Sequence, residues 1–309
     1  MLNRNLLRAK VLQLVYANYK SGGKQLEEAL RELRLSLDSS YDLYHYLLLL
    51  VCEITDYARM RYNSLSCYQL SANPQAHLIE RFIDNKFIDQ LFHNKQLRLW
   101  QENPHIHHWT EAEGVIQSLY TQITQSDICT EYLQAPQSDY ATDRAFWNRA
   151  YKRFIFQNEE LDEVLEEWGL YWNDDKEIID TFVQKTIKMF DPTLGDNQPL
   201  LPAYSADEDR GFAERLFSDA FLNGESYESL IKPYVTESWD WGRVAPMDII
   251  IMVCAVSELC SFPEIAVSIT LNEYINLAKT YSSPKSAAFV NGILDNVVGQ
   301  LRKEGRILK

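Results

Sequence analysis

The sequence predicts an all-α protein. Apolar residues recur at three- and four-residue spacing along most of the chain, the period of a helix with one buried face. Valine, isoleucine and threonine are not gathered into the alternating runs that mark strands. Most prolines fall between the periodic stretches, where they punctuate helices. With 309 residues, 46% of them apolar, the chain has material for two domains or for one domain with a large insertion.

The elements follow in order. A first helix from about Asn3 to Tyr19 stops at Gly22-Gly23. Leu26, Leu30, Leu33 and Leu37 space out a second. Ser39 and Ser40 then precede a long apolar helix from Tyr41 to about Tyr62, and Asn73-Pro74 breaks the chain. Helices at about 76–100 and 111–133 are separated by Asn103-Pro104, and Ala135-Pro136 precedes helices at about 143–168 and 174–190. The stretch from Asp191-Pro192 to Pro202 holds three prolines, Gly195 and Asn197 and reads as a linker. Beyond it come helices at about 207–222, 225–237, 246–260, 264–281 and 284–301, the first capped by Ser205 or Asp207. The run from Pro246 to Leu259 is apolar all round, as a central core helix is. Asp248 lies in its first turn, where the helix dipole favours a carboxylate.

The net charge is −14, but it is unevenly spread. Residues 1–20 carry Arg4, Arg8, Lys10 and Lys20 with no acid. Residues 279–309 carry Lys279, Lys285, Arg302, Lys303, Arg306 and Lys309 against Asp295 and Glu304. Two basic ends therefore flank a strongly acidic body. If the ends meet in space they form a local anion site, while the body repels nucleic acid elsewhere; chain ends are also basic by chance.

No catalytic constellation emerges: the chain has no G-x-G-x-x-G, P-loop, G-x-S-x-G or H-E-x-x-H. His105, His107 and His108 cluster beside Trp109, but without a cysteine or fixed carboxylate at ligand spacing they read as a polar loop, and neither metal nor cofactor is expected. The acids Glu159, Glu160, Asp162, Glu163, Glu166 and Glu167 read as one solvated helix face. Cys52, Cys67, Cys129, Cys254 and Cys260 are odd in number and form no C-x-x-C, so free thiols in a reducing compartment are expected. With no secretory pattern and a longest apolar run of 8 residues, the expected location is the cytoplasm.

The ends of the chain carry a resemblance. Residues 269–279, ITLNEYINLAK, resemble the "INEAVELAK" helix of the NusB family, and residues 288–295, AFVNGILD, its "FVNGVLD" motif. Residues 247–259, MDIIIMVCAVSEL, resemble its "ILRLAIYEL" helix, and residues 8–16, RAKVLQLVY, its opening "ARxxALQALY". The likeness covers about 1–30 and 207–299. The resemblance implies a NusB-like helical bundle formed by residues 1–38 and 201–309, with residues 39–200 as a helical insertion.

It also implies a function. NusB proteins are non-catalytic transcription antitermination factors that bind boxA-type RNA with NusE, a small-subunit ribosomal protein, in the transcription elongation complex. Carried over, the implied RNA contacts are Arg4, Arg8, Tyr16, Lys279, Tyr281, Lys285 and Phe289, and Asp248 is expected on the protein-partner side. Arg4 and Arg8 share a helix side; arginines suit phosphates and aromatics suit unstacked bases. Asn5 and Leu6 stand where the family is often basic. The alternative is therefore a protein-interaction scaffold of the transcription or ribosome-assembly machinery that has lost strong RNA binding. Similar bundles also open rRNA cytosine methyltransferases, but no nucleotide-fold domain follows here before Lys309, so no enzyme activity is expected.

Overall fold

A computed structural model describes residues 1–22, 24–65, 76–104, 106–136, 139–172, 175–204, 206–235, 240–283 and 285–307. Gly23, Cys67, the Asn73-Pro74 break, His105, Ser205, Pro284 and Lys309 lie outside them. The fold is all-helical: among the described residues no strand forms, and one isolated bridge joins Leu2 to Tyr204. None of these helices is long and apolar enough to cross a membrane. The chain divides into two compact units, one made of Leu2–Asp38 and Ala203–Lys309, the other of Ser39–Pro202 with Met1.

The first unit is organised around its most apolar helix. Helix α1 (Arg4–Ser21) opens on Asn3, whose side chain accepts from the Leu6 N–H at 3.0 Å, and ends at Gly22, where φ is +62°. Helix α2 (Leu26–Ser64) begins in this unit. The helices we number α11 (Asp207–Ile231), α12 (Pro246–Ser261), α13 (Val267–Tyr281) and α14 (Ser286–Lys303) complete it. Every residue of α12 from Asp248 to Leu259 is buried, and α1, α11, α13 and α14 all pack on it. An all-round apolar helix has no solvent face to offer, so the centre is the one place it can go.

The second unit continues α2 and adds α3 (Ala76–Ile83), α4 (Lys86–Phe92), α5 (Lys95–Gln101), α6 (Glu113–Thr124), α7 (Asp127–Gln134), α8 (Tyr140–Ala150), α9 (Glu159–Trp168) and α10 (Lys176–Met189). Its core is aromatic, with Tyr44, Phe87, Trp109, Trp147, Tyr151 and Phe190 each at most 2% exposed. Short helices start at side-chain caps: Asn85 for α4, Asn94 for α5, Ser126 for α7 and Asn158 for α9. Each cap satisfies an N–H that the first turn leaves without an intrahelical partner.

Several boundaries differ from the sequence reading, for identifiable reasons. Ser39 and Ser40 do not break α2, because Ser40 is buried and donates to Asp175 Oδ2 at 2.5 Å. The 76–100 stretch is three helices, because Asn85 and Asn94 cap new starts inside it. Asn223-Gly224 is absorbed into α11, where a Cβ on Gly224 would meet only Val253 Cγ1, at 3.9 Å. Helix α11 has Ala206 at its cap position and Asp207 already inside the helix, so Asp207 is not its cap. Residues 191–202 are no free linker. Gln90 Nε2 donates to the carbonyls of Asp191 and Gly195 at 2.9 Å, and Asn94 Nδ2 donates to that of Gln198 at 2.7 Å. The acidic run on α9 is not wholly solvated either: Asp162 pairs at 3.0 Å with Lys176, which also pairs with the buried Asp180 at 3.0 Å.

A close approach after α9 gives a direct test of this packing. Trp172 is buried and its indole N–H donates to the Ser39 carbonyl at 2.8 Å. A Cβ on Gly169 would fall 2.3 Å from Trp172 Cδ2. Gly169→Ala must push the indole off its seat, and overpacking of this kind costs about 1–3 kcal/mol. The expected readout is a lower urea midpoint at unchanged m value; an unshifted midpoint would show that the loop gives way freely.

Candidate nucleic-acid interface

Helix α1 sorts its basic residues by burial. Arg4 and Arg8 do share one side: their guanidinium carbons sit 5.2 and 5.4 Å from the centre of the Phe212 ring. From there they diverge. Arg4 remains 36% exposed at its side chain and pairs with Asp209 Oδ1 at 3.1 Å. Arg8 is 3% exposed. Its Nε donates to Glu258 Oε2 at 2.7 Å and its Nη2 to Glu258 Oε1 at 2.8 Å.

Glu258 is itself fully buried and also accepts from Thr270 Oγ1 at 2.9 Å and the Tyr274 hydroxyl at 3.3 Å. Burial first, and Glu258 second, push the Tyr274 phenol well above its ordinary pKa, so it stays a donor. The sequence expectation for Arg8 is thereby corrected. Both forks of its guanidinium are committed to an internal carboxylate, and a phosphate has no access to a side chain so buried. Arg8 holds α1 to α12 and α13.

The outer face of α1 meets the loop between α13 and α14. Gln13 Nε2 donates to the Tyr281 hydroxyl at 3.3 Å. One turn further along α1, Tyr16 is half-buried, and the Lys20 ammonium lies 5.7 Å from its ring centre. In the last turn of α13, two residues before Tyr281, Lys279 is exposed and donates to Asn276 Oδ1 at 3.2 Å. Lys285 is exposed immediately before α14, and Phe289 is half-buried one turn into it. The basic ends of the chain thus share one unit and touch through Gln13 and Tyr281. Exposed ammonium groups beside partly exposed rings are the chemistry that single-stranded nucleic acid requires: cations for phosphates, π-faces for bases.

Asp248 is placed differently from the expectation of a partner-facing carboxylate. It is 6% exposed, too little for a surface contact. Its Oδ2 accepts from Ser286 Oγ at 2.9 Å, underneath the same loop. Ser286 in turn lies 2.9 Å from Ser282 Oγ and 2.8 Å from Ser283 Oγ. Gln13, Lys20 and this serine cluster were not singled out by sequence reasoning. The one signal was spacing, since Gln13, Tyr16 and Lys20 lie three and four apart on a helix that carries no acid.

In the histidine cluster, His107 is engaged locally. His107 Nδ1 lies 3.1 Å from Glu111 Oε2, and its ring stacks on Trp168 at 5.1 Å. Among the described residues no group of three potential ligands converges. Cys52, Cys129 and Cys254 are buried free thiols and Cys260 is partly exposed.

Comparison with known proteins adds an independent line. The NusB family model matches residues 190–299. The transcription antitermination protein NusB of Salinibacter ruber is 34% identical over 133 residues, 41% of this chain and 82% of that protein. That of Geotalea daltonii is 32% identical over 133 residues, 43% of this chain and 88% of that protein. That of Alkaliphilus oremlandii is 36% identical over 94 residues, 30% of this chain and 67% of that protein. No solved structure matches the chain significantly.

Proposed function

The chain belongs to the NusB family, and from that premise we propose that it is a transcription antitermination factor that binds boxA-type RNA together with NusE. What supports the reading is the meeting of the two basic ends at Gln13 and Tyr281. Lys279 and Lys285 contact phosphates there, Tyr16, Tyr281 and Phe289 stack bases, and Arg4 contributes when RNA competes with Asp209 for it. The work is binding, not catalysis. The strongly acidic middle of the chain supports a second reading, a scaffold in which protein contacts have replaced RNA.

A titration of boxA RNA across a salt series, with and without NusE, separates the two. Withdrawing one cation from one phosphate lowers the slope of log affinity against log salt by about 0.7–0.9. Lys285→Ala is therefore expected to weaken binding at low salt and to flatten the slope by about one. Tyr16→Ala should weaken binding by roughly 1–3 kcal/mol, the worth of one stacked base, at an unchanged slope. Absence of salt-sensitive binding both with and without NusE would favour the scaffold.

A further inference from the structure

We infer that Asp248 is a positioning residue for the RNA-contacting loop, holding Lys285 and Phe289 in place through Ser286. This rests on the RNA-binding reading above. Asp248 stands in the first turn of α12 and Ser286 is the first residue of α14. Two helix N-termini thus converge on one carboxylate, and each dipole favours negative charge there. Lys285, at the cap position of α14, makes no side-chain capping bond. The start of that helix is closed instead by Ser286, whose hydroxyl donates to Asp248 at 2.9 Å and accepts from the Ser283 N–H at 3.3 Å.

The bond matters to both partners. Asp248 Oδ1 is buried without a hydrogen-bond partner among the described residues. The carboxylate therefore depends on the bond from Ser286 to Oδ2: removing Ser286 leaves a buried carboxylate unmatched, and removing Asp248 leaves the Ser286 hydroxyl tied only to Ser282 and Ser283. Tyr281 and Lys285 lie on the two arms of the loop that this bond draws down, and Phe289 sits one turn beyond it. An RNA ligand meets these groups already in place, so the ordering cost does not fall on binding.

The test pairs hydrogen exchange with RNA binding. Asp248→Ala and Ser286→Ala are each expected to speed amide exchange over 281–283 and 285–289 by about tenfold, and to weaken boxA binding about tenfold, the effect of removing one buried hydrogen bond. The salt slope should stay that of the parent, because every phosphate keeps its cation. The double variant should be no worse than the weaker single, since both act through one bond. Asp248→Asn keeps an acceptor and should retain affinity within about threefold. The inference is overturned if Asp248→Ala exchanges and binds like the parent, if the two singles add, or if the slope falls as for Lys285→Ala. If the parent binds no boxA RNA, the RNA-binding reading fails by itself; the exchange comparison still decides the role of Asp248, and unchanged exchange refutes it.

Discussion

Replacing Glu258 with alanine is expected to destabilise the unit formed by the two chain ends by about 3–5 kcal/mol, because it strands the buried charge of Arg8. The pair is matched at both forks, at 2.7 and 2.8 Å, and Thr270 and Tyr274 fill the remaining lone pairs of the carboxylate. Removing the acid leaves the guanidinium a long hydrogen bond to Asn5 Oδ1, at 3.4 Å, in place of two short ones to a charge. The measurable result is a melting temperature lower by roughly 10 °C. Arg8→Ala should cost a similar amount by stranding Glu258 instead. The double replacement by leucines should recover much of the loss, because an apolar pair of similar volume removes both charges at once. The experiment also decides what Arg8 is for. If Arg8→Ala folds with little loss yet flattens the salt dependence of RNA binding, Arg8 is the phosphate contact that its position in the sequence suggests, and the buried pair is incidental.

That ambiguity marks where the sequence stops being informative. The side of α1 on which Arg4 and Arg8 lie follows from a four-residue spacing, and both do sit over Phe212. Which of them is buried depends on a carboxylate 250 positions away, and no local pattern encodes a separation of that size. The central place of α12 was legible because an uninterrupted apolar helix has a single physical solution. Asp248 reads as a partner contact because it lies on a different helix from the expected RNA contacts; its bond to Ser286 reaches across to the helix that carries Phe289.

Local signals failed where tertiary contacts outweigh them. Ser40 reads as a break until Asp175 accepts its proton, and the three prolines of 191–202 read as a loose linker until Gln90 and Asn94 fasten the backbone. Tyr16, Tyr281 and Phe289 are each half-buried, a placement that no local pattern in the sequence fixes.

The helical region between the two ends should carry its own pH dependence, set by His45. The imidazole is 3% exposed, stacks on Trp100 at 5.1 Å and meets Tyr41 and Tyr44 edge-on at 4.4 and 5.3 Å. Its Nδ1 lies 2.8 Å from the Tyr41 carbonyl, so the neutral ring donates there. Burial lowers its pKa from 6.5 to about 4, with the Tyr41 carbonyl pulling weakly the other way. At pH 7 neither the folded nor the unfolded chain protonates it. As pH falls through 6.5 the unfolded chain takes up a proton that the folded chain refuses until about 4, so stability drops across that window, by roughly 3 kcal/mol in all. Glu53 opposes part of this. Burial, and then Asp56, raise its pKa from 4.5 to about 6, so the folded chain binds that proton first and gains stability as pH falls between the two values. The loss is therefore expected to be shallowest at about pH 5, between the two pKa values of Glu53, and steeper on either side of it. His45→Phe keeps the stack on Trp100 and leaves nothing to protonate; its urea stability should be close to the parent's at pH 7 and exceed it by roughly 3 kcal/mol near pH 4. Glu53→Gln should do the reverse, steepening the acid limb. Identical acid limbs in the parent and in His45→Phe would mean that the ring gains access to water before the unit unfolds, and that burial does not hold it neutral.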